Sequence, residues 1–306
     1  MQATKKNTFL KRLRRDHQLL ILLLPGLLFY LVFRYGPMYG IVIAFKKYSP
    51  FLGVARSPWV GTQYFRQFFS SPEFVNLFRN TLVLGFWSML FGFPAPILFA
   101  LVLNEVRSGA AKKFYQTVSY LPHFLSLVVV CSIFRELFSV SSGLINRILT
   151  ALGVPAINFL IRPEWYRFIY IISGIWSGLG SGAIVYLAAL AGVDPQLYEA
   201  ARIDGCTRVR MIFYITLPSI LPTVVTMFLL NCGNIMRIPA DKTLLLYNPI
   251  TYEVADIFST YTYRVGLVKK NFSFATAVGL FESVIAALVL LAANAASRKV
   301  TGESLW

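Results

Sequence analysis

Residues 198–218 read YEAARIDGCTRVRMIFYITLP and lie between two long apolar runs. Glu199, Ala200, Ala201 and Arg202 favour helix, and Gly205 ends or bends it. Arg208 and Arg210 follow, and the stretch closes on Leu217-Pro218. A chain otherwise suited to lipid interrupts itself here with a short, charged, Ala-Ala helix.

The surroundings are those of a membrane protein. Of 306 residues, 57% are hydrophobic and only 14% charged, the composition of a polytopic membrane protein and not of a soluble domain. The formal charge of +16 stands in no Lys/Arg-rich block apart from the apolar runs, so it reads as basic flanks of membrane helices, with no nucleic acid implied. Cys131, Cys206 and Cys232 are scattered and odd in number, which gives neither a disulfide framework nor a metal spacing. The N-terminal KKNTFLKRLRR and the apolar LLILLLPGLLFYLVF resemble a signal peptide, but no small-x-small cleavage site follows. The segment is read as a retained first span.

A span needs about 20 mainly apolar residues. Six candidates appear: 19–33, which must borrow its flanks, 81–103, 118–138, 168–191, 219–236 and 275–293. Lipid forbids unpaired backbone, and runs this long are helices, not barrel strands. The expected fold is all-α and polytopic. Residues 1–18 form a cytoplasmic N-terminus, 19–293 the six-helix domain and 294–306 a cytoplasmic tail. Lys5, Lys6, Lys11 and Arg12 place the N-terminus inside, and an even number of spans returns the C-terminus to that side. Pro94 and Pro96 are expected to kink the second span. Tyr64, Phe65, Phe68 and Phe69 suggest an interfacial helix, and Val254, Ile257, Tyr261 and Val265 an amphipathic element between spans five and six.

On this topology residues 192–217 are a cytoplasmic loop. Asp194 is a plausible N-cap and Pro195 a plausible first helical residue. Ala200 and Ala201 allow another backbone to approach. A second helix from about Thr207 runs to the next span, and Pro218 is expected to break it at the membrane edge. Such a helix either enters a groove on a soluble partner, with Glu199 and Asp204 as carboxylates, or is an ordinary solvated loop.

Spacing separates the two. Glu-Ala-Ala, three residues, Gly205, nine residues, Ile215, one residue and Leu217-Pro218 match the "EAA" signature of ABC importer permeases. Other segments, among them LLLPGLLFYLVFRYGPMYGIVIAF, FYQTVSYLPHFLS, LLLYNPITYEVADIF and the terminal SLW, resemble the LplB-type oligosaccharide permeases. Those are MalF-like subunits of type I importers with a MetI-like fold, and alginate-importer permeases are relatives. One segment departs: after Asn231-Cys232-Gly233-Asn234, Pro239-Ala240 stands where a Gly-Phe pair is expected, followed by Asp241-Lys242. The departure bears on substrate identity.

The resemblance implies a permease in the bacterial cytoplasmic membrane that pairs with a second, homologous permease, as a heterodimer. It also implies two cytoplasmic ATPases, an extracytoplasmic solute-binding protein and an oligosaccharide substrate, whose charge the basic outer loops leave open. Tyr198, Glu199, Ala200, Ala201, Asp204, Gly205, Leu217 and Pro218 are the coupling positions it implies. No GxxxxGK[ST] occurs, so ATP and Mg are expected on the partner ATPase and no cofactor on this chain, which is not an enzyme.

Trp176, Tyr186, Asn231 and Asn234 are candidates for the sugar path, with packing within the bundle as the alternative role. Glu282, an acid inside span six, either hydrogen-bonds sugar or pairs with a basic residue. Gly174, Gly178, Gly180 and Gly182 are expected to permit close helix approach. Arg135-Glu136 is read as snorkelling from span three, and His123 as a helix-end group and not a metal ligand. The competing readings are an ion-coupled secondary transporter, which needs inverted repeats and a midplane ion site, and a membrane enzyme, which needs clustered catalytic groups.

Overall fold

A computed structural model describes residues 15–300 and Ser304. Among the described residues there is no strand, only an isolated bridge between Lys46 and Trp59. The predicted N-terminal tail lies largely outside the described residues; of the predicted C-terminal tail, residues 294–300 are helical and complete the last helix, Phe272–Val300.

Five helices are long and apolar enough to cross a membrane: α1 (His17–Phe45), α2 (Glu73–Glu105), α5 (Pro163–Ala191), α7 (Arg208–Asn234) and α10 (Phe272–Val300). The pair α3 (Gly109–Phe124) and α4 (Leu127–Leu137) is long and apolar enough only when taken together, as a broken span or a re-entrant hairpin. Its arms meet at 102°, so the single span expected over 118–138 is not one continuous helix. The cause is local. Pro122 sits in a closing 3₁₀ turn, Leu121–Phe124. Ser126 then takes extended geometry and caps the new helix, accepting from Val129 N at 3.3 Å.

Prolines act elsewhere too. In α2 the helical ladder lapses at Phe93, just before Pro94 and Pro96. The expected break at Pro218 does not occur. Residues Ile212–Thr216 take a wider π turn, and α7 continues through Pro218 and Pro222. The wide turn admits a residue that lacks an N–H without ending the helix.

Small residues set the closest approaches. A Cβ on Gly180 would collide with the Ser119 carbonyl, one on Gly85 with the Ile235 carbonyl, and one on Gly182 would crowd the Pro96 ring. Gly178 meets nothing within 4 Å, so close approach does not explain it. Phe68, read as an interfacial residue, is fully buried against Phe74, Phe258, Phe274 and Phe281, while Phe69 is exposed. The short helix Gln63–Phe69 is therefore part of the core as well as the surface.

The 249–268 element is not one amphipathic helix. It breaks at Asp256-Ile257 and resumes as α9 (Phe258–Tyr263) and a π turn. Ile257 and Val265 are nonetheless buried, and Val254 and Tyr261 half-buried. Arg264 pairs with Asp256, donating from Nη1 to Oδ1 at 3.2 Å and from Nη2 to the other oxygen. Thr260 Oγ1 donates to the same carboxylate at 2.7 Å, and Tyr252 and Tyr261 flank the guanidinium. Asn80 Nδ2 donates to the carbonyls of Glu253 and Asp256 at 2.8 and 3.2 Å, fixing this loop to α2.

None of the α1 residues His17–Tyr30 is buried. Its far end, Tyr39–Phe45, packs on α10. There Ser273 Oγ donates to the Lys46 carbonyl at 2.7 Å and accepts from Tyr48 N at 3.0 Å.

Candidate functional site

Helix α6 (Pro195–Ile203) begins as its residues dictate. Asp194 accepts from Gln196 N at 2.9 Å, and Pro195 takes the first turn, where its missing N–H leaves nothing unpaired. The end is a Schellman closure: Cys206 N donates to Ala201 O at 2.9 Å and Gly205 N to Arg202 O at 3.1 Å. Gly205 has φ +72°, the left-handed backbone that this closure needs.

Glu199, Ala200, Asp204 and Gly205 are exposed, and Ala201 and Tyr198 half-buried. Ile203 and Leu197 stand in the open beside them. An open groove of about 860 Å³ runs between α6 and the end of α2, lined by Glu105, Arg107, Tyr198, Glu199, Arg202 and Met211 among others. Tyr198 turns inward, and its Oη lies 3.0 Å from Thr216 Oγ1. Thr216 Oγ1 in turn donates to Met211 O at 3.3 Å, across the π turn of α7. Leu217 and Pro218 open the helix beyond that turn.

At the opposite end of α7 a second crevice, about 570 Å³, lies between α2, α5 and the 235–242 segment. Asn231 and Asn234 line it, together with Gly174 and Gly178. Each Asn returns its amide N–H to its own helix, at Met227 O (2.9 Å) and Leu230 O (3.2 Å). Trp176 is elsewhere, edge-on to Phe134 at 5.7 Å. Tyr186 is buried with Ile97, Ala183 and Ile220 near the α6 end. Glu282 is half-buried on α10, does not line the crevice and is in no ion pair among the described residues. The structure thus brings Asn231 and Asn234 together and leaves Trp176, Tyr186 and Glu282 apart from them.

Two crevice residues escape a reading of the sequence. Arg237 and Lys242 fall in or beside the segment whose departure from the resembled pattern is the available signal. Lys242 lies on α8 (Ala240–Leu246). Arg135, read as snorkelling, is exposed and points Nη1 at Leu245 O, 3.4 Å away. His123 is exposed against Phe124, and no group of three metal-ligating side chains occurs among the described residues.

A helical bundle of broken and continuous spans, with a capped amphipathic helix exposed between two of them, defines a membrane permease. Residues 92–302 match the family of binding-protein-dependent transport system inner membrane components. Protein LplB of Bacillus subtilis is 43% identical over 306 residues, covering 100% of this chain and 96% of LplB. The polygalacturonan/rhamnogalacturonan transport system permease YteP of the same organism is 43% identical over 302 residues, 99% of this chain and 94% of YteP. A crystal structure of a bacterial ABC transporter that imports the acidic polysaccharide alginate contains a chain of TM-score 0.88 and 43% identity, covering 96% of this chain and 99% of that one. The chain belongs to this family and is a permease subunit of a type I ABC importer.

Proposed function

We propose that this chain forms half of the translocation path for an oligosaccharide and couples it to ATP through α6. It does so with a second, homologous permease, in a heterodimer served by two cytoplasmic ATPases and an extracytoplasmic solute-binding protein. N- and C-termini face the cytoplasm, which puts α6 and its groove on the ATPase side. The observation that carries the reading is α6 itself: an exposed helix, closed at both ends by its own residues, with Glu199 and Asp204 presented outward and Tyr198 fastened inward to α7.

The mechanism is mechanical. ATP and Mg bind on the ATPase pair, which closes; a helix seated in each ATPase moves with it. The Tyr198–Thr216–Met211 chain passes that displacement to the π turn of α7, the least regular turn of that span. Helix α7 also lines the crevice that contains Asn231 and Asn234, so one continuous helix joins the ATPase side to the proposed sugar path. The names of YteP and of the alginate transporter favour polysaccharide fragments as cargo.

The test is co-purification through a tag on this chain, compared with a variant carrying Glu199→Ala and Gly205→Trp. An ATPase and a second permease with the wild type, and loss of the ATPase alone from the variant, is the expected result. Absence of any ATPase from the wild type under conditions that preserve other such complexes would return an ion-coupled secondary transporter to the front.

A further inference from the structure

The crevice between α2, α5 and α7 holds two cations and no acid. Among its lining residues Arg237 and Lys242 are basic and none is Asp or Glu. Neither cation is in an ion pair among the described residues. Lys242 Nζ donates to the Tyr170 carbonyl at 2.6 Å and sits 4.2 Å from the centre of the Tyr170 ring, both neutral partners. An ammonium has three protons to donate, so this carbonyl does not exhaust it. Gly174 makes the room: a Cβ there would stand 2.9 Å from Nζ. Burial lowers the Lys242 pKa to about 8, which still leaves the group mostly cationic near neutrality. Arg237 is exposed, and Glu282 is not among the lining residues.

A partly desolvated cation without a counter-ion is poorly compensated, and an incoming oxyanion compensates it. Asn231 and Asn234 line the same crevice, suited to hydroxyl groups. We propose that Arg237 and Lys242 form an oxyanion subsite that takes the ring carboxylate of an acidic saccharide, with the two asparagines beside its hydroxyls. The proposal rests on the crevice being part of the sugar path. It also gives a role to residues 237–242, where the sequence departs from the permeases it resembles.

The experiment uses the complex purified through this chain in phosphatidylcholine nanodiscs. Trigalacturonate and its methyl ester, matched in length and hydroxyls, are titrated by saturation-transfer NMR. The wild type should prefer the acid by about ten-fold, the scale of one charge-assisted hydrogen bond. Arg237→Gln and Lys242→Met should each abolish that preference, and Lys242→Arg should keep it. Arg237 is exposed, so its variant keeps the test open should Lys242→Met fail to fold. Equal binding of acid and ester by the wild type, or a preference that survives both charge removals, overturns the subsite and leaves the sugar path standing. Binding of neither saccharide overturns the sugar path, and the subsite with it. Loss of acid binding in phosphatidylglycerol nanodiscs alone would assign the cations to a lipid headgroup and overturn the proposal.

Discussion

Tyr198 Oη and Thr216 Oγ1 lie 3.0 Å apart, joining the exposed helix α6 to the first turns of α7 across 18 residues of sequence. Tyr198→Phe removes this tie and keeps the ring. A net hydrogen bond is worth about 1 kcal/mol, or about five-fold in an equilibrium. ATPase should still co-purify with the variant, while sugar moved per ATP hydrolysed falls several-fold. Parallel uptake and phosphate-release assays check this, and an unchanged ratio would remove Tyr198 from the transmission.

Gly205 tests the helix end. A Cβ there meets nothing within 4 Å, so Gly205→Ala introduces backbone strain and no clash. The left-handed conformation costs an L-residue about 1–2 kcal/mol. Hydrogen exchange at Gly205 and Cys206, whose N–H groups make the closing bonds, should quicken about ten-fold, since about 1.4 kcal/mol is one decade. Protection in the spans should not change.

The pair Asp256–Arg264 is largely buried, with side-chain exposures of 12% and 27%. Asp256→Asn leaves the guanidinium between two tyrosines without its counter-ion. Losing one partner of a buried pair costs about 3–5 kcal/mol, and the partial exposure of Arg264 puts this case near the lower end. Thermal unfolding in detergent should show the loss. The double variant with Arg264→Met should recover a substantial part of it, because no lone charge remains.

Gly180→Val should prevent the bundle from closing where α5 crosses α3, because the added atoms meet the Ser119 backbone, which has no rotamer to yield. Little monodisperse protein is expected. Gly178→Ala, with open space beside it, should express normally. Size-exclusion profiles of the two variants make the comparison.

Residue type alone discloses some of these features and hides others. The helical nature of the spans and the place of five of them follow from apolar runs, and the α6 boundaries from Asp194, Pro195 and Gly205, whose effects are local. Proline is the less dependable guide. Pro218 passes inside a helix because residues five apart form the wide turn before it, whereas Ser126 and Pro122 together turn the chain through 102°. Those outcomes depend on neighbouring backbone, not on residue type. Phe68 is a tertiary case: its cluster draws on Phe258, Phe274 and Phe281, distant in sequence. The crevice is hidden for the same reason, since its walls come from three helices.

The Ser273 contact has a bearing on how the protein is made. Lys46 and Tyr48 follow directly on α1, and Ser273 lies at the start of α10; 225 residues separate Tyr48 from its partner. Until α10 is in place, α1 lacks this contact, and none of its residues His17–Tyr30 is buried within the chain. Order of synthesis and order of assembly therefore diverge. The end of α1 can stack Phe45 on Trp59 and Phe65 as soon as those residues are made, but its link to the bundle through Ser273 waits for α10.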